Sequence, residues 1–193
     1  MNSRSVILGA VFPLLLGAST ANPNTATAST TSSAPPACFW QQAGPTYVLR
    51  NIPLGLVLDV KDNRTGNGTP VQLWQKNGGR NQHWVALRCR AHDRMVLKSV
   101  SAQKCLDLSL RRPPGNGSPV YVYQCHYREN QQWRLVDDIA LDPDFGKADS
   151  LASQQRADLV LHARQPSEVG SPVVAWQRKD ASVYSVAWRL EPV

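Results

Sequence analysis

The sequence of 193 residues has almost no segment with the 3.6-residue period of an amphipathic helix. It has four cysteines but no Cys-x-x-Cys motif, which argues against a redox or zinc site. No Ser/His/Asp set, no pair of glycosidase carboxylates and no metal-ligand spacing stands out. These absences disfavour a helical fold and predict a non-catalytic chain that needs neither a metal nor another cofactor.

Long runs of one charge are also missing, although the chain is basic. The net charge is +7, but Lys and Arg are scattered from Arg50 to Arg189 without a basic run or a basic helix. Surface solubilisation explains such scatter better than a nucleic-acid site, so we expect no nucleic-acid partner. Binding of a heparin-like polyanion is an alternative, and salt-sensitive retention on an anionic column would support it.

The first 21 residues have the features of a secretory leader. Arg4 supplies a positive charge, residues 6–17 are apolar, and Ser19-Thr20-Ala21 fits a cleavage site, with Ala18 as the second choice. The apolar run is too short to span a membrane and contains Pro13. We therefore expect a secreted, extracellular protein without a membrane span.

Residues 22–44 are predicted to be a spacer with an N-terminal tie-down. Residues 22–36 are rich in Thr, Ser, Ala and Pro and contain neither a charge nor a large apolar side chain. Cys38-Phe39-Trp40 then returns to residues that are typical of a core. Residues 45–193 form the predicted folded domain.

That domain contains a threefold internal repeat. Three segments share an opening Gly-(Thr/Ser)-Pro-Val and a closing tryptophan: Gly68–Trp84, Gly117–Trp133 and Gly170–Trp188. The first two are offset by 49 residues, and one such unit alone cannot bury its apolar face. The predicted repeats are residues 45–87, 88–136 and 137–193, approximately.

Short apolar segments between turn residues predict about four strands in each repeat, or about twelve in all. The candidates are residues 47–50, 56–60, 71–74, 84–87, 95–98, 105–108, 120–123, 133–136, 159–162, 173–176 and 187–190. The strand that opens the third repeat is expected near residues 139–141 or 150–153.

The four cysteines are predicted to form two disulfides, because secretion exposes the chain to an oxidising compartment. Three pairings are possible. Cys105 and Cys125 flank the loop of one repeat, and closing that loop would stabilise the fold by about 3 kcal/mol on a chain-entropy estimate. Cys38 and Cys89 then remain for the second disulfide.

The closing tryptophans carry a family resemblance. Repeats one and two end in Gln-x-Trp, at Gln82-His83-Trp84 and Gln131-Gln132-Trp133, whereas repeat three ends in Val186-Ala187-Trp188. Over residues 46–192, approximately, the sequence resembles the ricin-type lectin family. The resemblance implies an all-β fold, a β-trefoil with threefold pseudo-symmetry, in which the three tryptophans pack in a shared core.

The resemblance also implies a sugar site in repeat one. A pyranose has an apolar face that stacks on an aromatic ring, and its hydroxyl groups need fixed polar partners. Asp59 and Trp74 each have a structural alternative, as a residue that caps the turn at 62–63 and as a partly buried strand aromatic. The implied roles are Asp59 as acceptor, Trp74 as platform, Gln72 and Asn77 at the edge, Asn81 on the hydroxyl groups, and Gln82 as a brace for Asp59 or the turn.

Repeat two has most of the same parts. Its implied site residues are Asp107 as acceptor, Tyr123 as platform, Tyr121 and His126 at the edge, and the amide pair Asn130 and Gln131. The alternative is a site that is retained in outline but blocked by Arg128 or Glu129.

Repeat three is expected to be inert or structural. It keeps Trp176 at the platform position, but His162 replaces the aspartate and Ser185-Val186 replaces the Asn-Gln pair. The acceptor and the amides that orient it are therefore both missing.

The sequence thus predicts a secreted, non-catalytic carbohydrate-binding protein whose partners are glycans or polysaccharides, with galactose-like or xylan-like sugars as candidates. The alternative is a glycan-targeting subunit of a secreted toxin or glycoside-active enzyme complex, which would have a catalytic partner chain. A protease inhibitor with the same trefoil architecture is a further alternative, but that family lacks Gln-x-Trp repeats.

Overall fold

The computed structural model describes residues 38–89, 91–141 and 146–193. The predicted leader at residues 1–21 and the Thr/Ser/Pro-rich part of the spacer lie outside these ranges. Within them, no helix has the length and apolar character that crossing a membrane would require.

Twelve strands form within the described ranges, and short turns join most of them, as the sequence predicted. They are β1 (Trp40–Asn51), β2 (Val57–Val60), β3 (Thr69–Trp74), β4 (Trp84–Cys89), β5 (Arg94–Ser99), β6 (Cys105–Leu108), β7 (Ser118–Tyr123), β8 (Trp133–Ala140), β9 (Lys147–Ser153), β10 (Leu159–Ala163), β11 (Val173–Gln177) and β12 (Trp188–Pro192). A four-residue helix, α1 (Val183–Val186), precedes β12.

Six of the strands close into an antiparallel barrel. β1 pairs with β4, β4 with β5, and β5 with β8; β8 then pairs with β9, β9 with β12, and β12 with β1. Because the ring is closed, none of these six strands is left as an open edge of a sheet.

The other six strands form three hairpins, β2–β3, β6–β7 and β10–β11. These hairpins also pair with one another, through β3 with β7, β7 with β11, and a bridge between Gln72 and Pro172. A six-stranded barrel with a triangle of hairpins is a β-trefoil, so the predicted all-β fold class is confirmed.

The three closing tryptophans form the centre of the core. Trp84, Trp133 and Trp188 are completely buried and belong to one apolar cluster. Each indole N–H donates to a strand carbonyl in its own repeat, so no buried donor is left unpaired among these three side chains. The three bonds run to Leu58 (3.2 Å), Leu106 (3.1 Å) and Leu161 (2.9 Å).

Near the repeat boundaries, one strand is longer than predicted, and one of two candidate ranges is the strand that opens repeat three. β1 begins at Trp40, seven residues before the strand candidate at residues 47–50, and Trp40 pairs with Cys89. The strand that opens repeat three is β9, whereas residues 139 and 140 end β8. The cysteines pair as Cys38–Cys89 and Cys105–Cys125, which is the predicted pairing.

Candidate functional site

The alternation of side chains in β2 places a carboxylate opposite the core. Leu58 and Val60 point into the apolar cluster, so Asp59 between them points to the other face of the hairpin. Asp107 has the same position in β6, and His162 has it in β10. Equivalent positions of the three repeats therefore lie on the hairpin face that points away from the core.

Asp59 is held by the amides of three side chains, although only 2% of its surface is exposed. Its Oδ1 accepts a hydrogen bond from Gln72 Nε2 at 3.2 Å, and its Oδ2 accepts from Asn81 Nδ2 at 2.8 Å and Gln82 Nε2 at 3.0 Å. In the described part of the chain, no hydrogen bond joins Asp59 to the turn at 62–63. The hydrogen bonds that hold Asp59 therefore all come from residues of the predicted site.

Burial raises the pKa of Asp59 above its ordinary value, because a charged carboxylate loses hydration in this position. The hydrogen bonds from Gln82, Gln72 and Asn81 oppose this shift in pKa, since they favour the ionised form. Three of its about four acceptor positions are taken by these amides, so the carboxylate keeps a fixed direction and can accept one hydroxyl group.

Gln82 connects Asp59 to the loop that follows β3. Besides the bond to Asp59, its Nε2 donates to the Gln75 carbonyl at 2.9 Å, and its Oε1 accepts from the Asn77 backbone at 3.0 Å. The Asn77 side chain is exposed, and its Oδ1 accepts from the Gly79 backbone at 2.8 Å. Gln82 therefore positions both the carboxylate and the loop.

Asn81 directs its amide group inward and leaves its carbonyl oxygen available. Its Nδ2 donates to Asp59 and to the Val60 carbonyl at 3.3 Å. No hydrogen bond from a described residue reaches its Oδ1. That oxygen can accept a hydroxyl hydrogen from a ligand beside Asp59.

Trp74 is the aromatic side chain of this site. It lies two residues beyond Gln72 in β3, and therefore on the same face, and 38% of its surface is exposed. A Cβ built on Gly170 would lie 3.8 Å from the Trp74 ring, and the Gly170 N–H donates to the Leu73 carbonyl at 2.8 Å. A turn of repeat three thus borders the site of repeat one.

Sequence reasoning did not include this turn in the site. Gly170 belongs to the Gly-Ser-Pro-Val segment of its own repeat, and its φ of +87° is readily adopted only by glycine. Gly117 has a φ of +80° and its Cβ would lie 3.8 Å from Trp176, so the arrangement recurs at repeat three. The repeated Gly-(Thr/Ser)-Pro-Val segment was the sequence signal that could have indicated this turn as part of the site.

Gly79→Ala is expected to weaken ligand binding at repeat one at least about tenfold without unfolding the domain. An added Cβ would lie 2.5 Å from Asn81 Oδ1 and 2.9 Å from Asn77 Oδ1, so both side chains must move. A displacement of about 1 Å in a fixed polar site has effects of this size. Titration of the ligand with the purified variant measures the change.

Gly66→Ala is the matched control, because its Cβ would make only an ordinary contact of 3.8 Å with Thr69. Equal affinities for Gly79→Ala and the wild type would show that Asn77 and Asn81 do not determine binding. Thermal unfolding of both variants checks that the fold is retained.

Repeat two forms a second carboxylate site. Asp107 is 2% exposed; its Oδ1 accepts from Asn130 Nδ2 at 3.0 Å and its Oδ2 from Gln131 Nε2 at 2.8 Å. His126 Nε2 lies 3.4 Å from the same Oδ2. Burial raises the pKa of Asp107, while its polar neighbours, Gln131 first among them, oppose the shift.

The surroundings of Asp107 form an open cleft of about 360 Å³. Tyr123 is 38% exposed, and its ring centre lies 6.1 Å from that of Tyr121 and 6.4 Å from that of His126. Arg128 also lines the cleft. Five of the six predicted residues of repeat two line this one cleft, and the sixth, Gln131, is buried behind it and holds Asp107.

The loop that carries His126 is fixed at several points. The Cys105–Cys125 disulfide precedes it, and Gln131 Oε1 accepts from the backbone of His126 at 2.9 Å and of Tyr127 at 3.0 Å. The Tyr127 ring stacks on Trp40, with ring centres 6.0 Å apart and an angle of 16° between the planes. The start of β1 thus supports the site of repeat two.

Repeat three has a different arrangement around a cleft of about 620 Å³. His162 is 6% exposed and stacks on Trp176, with ring centres 5.1 Å apart and 23° between the planes. Burial lowers the pKa of His162, which favours the neutral imidazole. Ser185 lies in α1, and its Oγ donates to the Ser182 carbonyl at 2.7 Å, so it does not orient His162 as an amide would.

These features define a class of protein, the β-trefoils with buried closing tryptophans and a polar site on each hairpin. Residues 80–176, half of the chain, match the family model described as ricin-type beta-trefoil lectin domain-like. The chain belongs to this family. The search of curated proteins found no match.

Solved structures share the fold. The designed 3-fold symmetric protein ThreeFoil is 25% identical, with a TM-score of 0.66 over 77% of this chain and 99% of that one. The Macrolepiota procera ricin B-like lectin, solved in complex with lactose, is 17% identical, with a TM-score of 0.61 over 79% and 100%. An exo-beta-1,3-galactanase from Clostridium thermocellum is 23% identical, with a TM-score of 0.66 over 78% and 31%.

The family and its carbohydrate-binding fold support a glycan-binding role for this chain. The polar sites found here use hydrogen-bonding groups and aromatic rings. Across the described residues, no three His, Cys, Asp or Glu side chains are grouped so that they could hold a metal ion.

Proposed function

We propose that this protein is a secreted, non-catalytic carbohydrate-binding protein with one sugar site in repeat one and a second in repeat two. The observation that carries the proposal is the Asp59 carboxylate, which three amide groups hold on the same hairpin as the exposed Trp74. A fixed acceptor next to an open aromatic face is the combination that a pyranose requires.

In repeat one, the apolar face of the sugar stacks on Trp74 and one of its hydroxyl groups donates to Asp59. Asn81 Oδ1 accepts a further hydroxyl hydrogen, and Gln72 and Gln82 keep the carboxylate in place. The exposed Asn77 lines the edge. In repeat two, Asp107 and Tyr123 take the two main roles, as their equivalent positions in the β6–β7 hairpin suggest.

A single shallow sugar site of this kind binds near the millimolar range, or about −4 kcal/mol. Two sites on one rigid domain bind a polysaccharide or a glycan-coated surface more tightly, because the second contact forms within the same complex. The proposed ligand is therefore a polymer or a dense glycan layer, with galactose-like or xylan-like units as the candidates. Galactose-like units gain support from the Macrolepiota lectin, whose structure was solved in complex with lactose.

A binding role without catalysis agrees with the state of the two carboxylates. Asp59 and Asp107 lie on different hairpins, and amide donors from their own repeats occupy both of them. A glycosidase needs two carboxylates on either side of one scissile bond, whereas Asp59 and Asp107 each serve as the acceptor of a separate sugar site. The two disulfides agree with an oxidising, extracellular location.

A second candidate function is glycan targeting for a catalytic partner. The region similar to this chain makes up 31% of the galactanase, so in that protein the trefoil is joined to a larger remainder. Purification of the secreted protein from its source would test this candidate. A second chain that stays bound at stoichiometric amounts would favour targeting, and a lone chain would favour an independent lectin.

The function is tested by retention on immobilised lactose, galactan and xylan, with free sugar as the competitor. We expect the wild type to be retained on at least one of them and released by the free sugar. The double variant Asp59→Asn/Asp107→Asn should lose retention at least about a hundredfold, because each site loses its charged acceptor. Full retention of a correctly folded double variant would refute the proposed sites.

A further inference from the structure

Adjoining clefts lie between the cleft of repeat two and the cleft of repeat three. Four clefts, of about 360, 210, 490 and 620 Å³, share lining residues in that order. Arg111 lines the first three, and Asn116 and Gly117 line the last two. We refer to this chain of clefts, from Tyr123 to Trp176, as the inter-repeat groove. Its extent suits a chain of several sugar units better than a single unit.

Four exposed arginines line the inter-repeat groove: Arg128, Arg111, Arg112 and Arg164. Among the described residues, none of the four forms an ion pair. Two carboxylates also line it, the buried Asp107 and the exposed Asp180, which accepts from Asn116 at 3.3 Å. Positive charge is therefore in excess, and a cleft lined mainly by one sign of charge attracts ligands of the opposite sign.

The repeat-three end of the groove differs from the neutral-sugar sites in a way that favours an anion. Where Asp59 and Asp107 would repel a ligand carboxylate, His162 presents an imidazole that burial keeps neutral by lowering its pKa. Its Nδ1 is buried and has no hydrogen-bond partner among the described residues. Trp176 next to it provides an aromatic face, and Arg164 lines the same cleft.

We propose that the inter-repeat groove binds an acidic polysaccharide, a chain of uronate sugars whose carboxylates pair with the groove arginines. The rings at its two ends stack on Tyr123 and Trp176. Arginine suits this role because its planar guanidinium group can bind both oxygens of a carboxylate at once. The inference rests on the proposed function in one respect, since the groove begins at the sugar site of repeat two.

The test compares the affinity of the protein for polygalacturonate and for its methyl ester, which has the same backbone without the charge. We expect tighter binding of the acid form by at least about tenfold, and we expect salt to reduce the difference. Arg112→Gln/Arg164→Gln should remove most of this preference. Neither residue lines the cleft of repeat two or bonds to Asp59, so retention on neutral sugars should stay unchanged.

Arg134→Gln/Lys98→Gln is the matched control, because it removes the same charge from positions outside the groove. An equal loss of polygalacturonate binding in both double variants would overturn the proposal, since only the overall charge would then matter. Equal affinity of the wild type for the acid and the ester would overturn it too. So would tighter binding of an RNA homopolymer than of polygalacturonate.

The result separates this inference from the proposed function. Retention on neutral sugars that depends on Asp59 and Asp107, without a preference for the acid chain, supports the proposed function and refutes the groove. A preference for the acid chain that depends on Arg112 and Arg164, without retention on neutral sugars, supports the groove and refutes the neutral-sugar sites.

Discussion

Trp74→Ala is expected to abolish sugar binding at repeat one and to leave the domain folded. The ring is 38% exposed and supplies the apolar face of the proposed site, so its removal leaves Asp59 without a stacking surface. On a polysaccharide the protein then binds through repeat two alone, and the loss of the bivalent contact lowers retention by about a hundredfold or more. Retention on the immobilised polymer measures this.

A titration with the free sugar gives a second readout that avidity does not affect. The number of sites should fall from two to one, while the affinity of the remaining site stays the same. Phe39→Ala removes another exposed aromatic, which is 76% exposed and does not line the cleft of repeat two, and should change neither quantity. If the titration of Trp74→Ala still gave two binding sites, Trp74 would not be the stacking platform of repeat one.

Trp133→Ala is expected to destabilise the whole domain by about 3–5 kcal/mol, the usual cost of deleting a large buried aromatic side chain. Its indole is completely buried among side chains of the common core, and its N–H bonds the Leu106 carbonyl at 3.1 Å. In a domain of this size the melting temperature should fall by roughly 10 °C or more. Urea unfolding followed by fluorescence and circular dichroism measures the loss.

Trp133→Phe separates packing from hydrogen bonding. It keeps most of the apolar volume but leaves the Leu106 carbonyl without a partner, so it should cost about 1–3 kcal/mol, less than Trp133→Ala. Tyr184→Ala, at a side chain that is 60% exposed, should stay within about 0.5 kcal/mol of the wild type. A Trp133→Ala protein as stable as the Tyr184→Ala protein would contradict the position of Trp133 in a shared core.

Much of the fold was predictable because the sequence repeats its own pattern. Short apolar segments and turn residues recur with each closing tryptophan, so about twelve strands followed from local signals, and the trefoil followed from the resemblance to the ricin-type lectin family. The proposed site of repeat one, with Asp59, Trp74 and Asn81, came from the family resemblance and stays a prediction. The structure adds the hydrogen bond from Asn81 to Asp59 and the hairpin that carries both Asp59 and Trp74.

Most of the features that escaped prediction depend on contacts between repeats. The turn at Gly170 borders Trp74, and the turn at Gly117 borders Trp176; the partners in both cases are far apart in the chain. The inter-repeat groove is lined by arginines from separate parts of the sequence, such as Arg112 and Arg164. In repeat three, helix α1 stands where the other repeats have their Asn-Gln pair, and His162 stacks on Trp176 instead of accepting from those amides. No local sequence pattern indicates this arrangement.

The bonds from the closing tryptophans have a consequence for how the repeats can diverge. Each indole holds the carbonyl of the residue directly before the acceptor position, at Leu58, Leu106 and Leu161. The acceptor of that bond is a backbone carbonyl, so the next side chain can change from aspartate to histidine while the core stays the same, as in repeat three. Ligand preference can therefore change in one repeat at a time, while the other two repeats and the stability of the barrel stay the same.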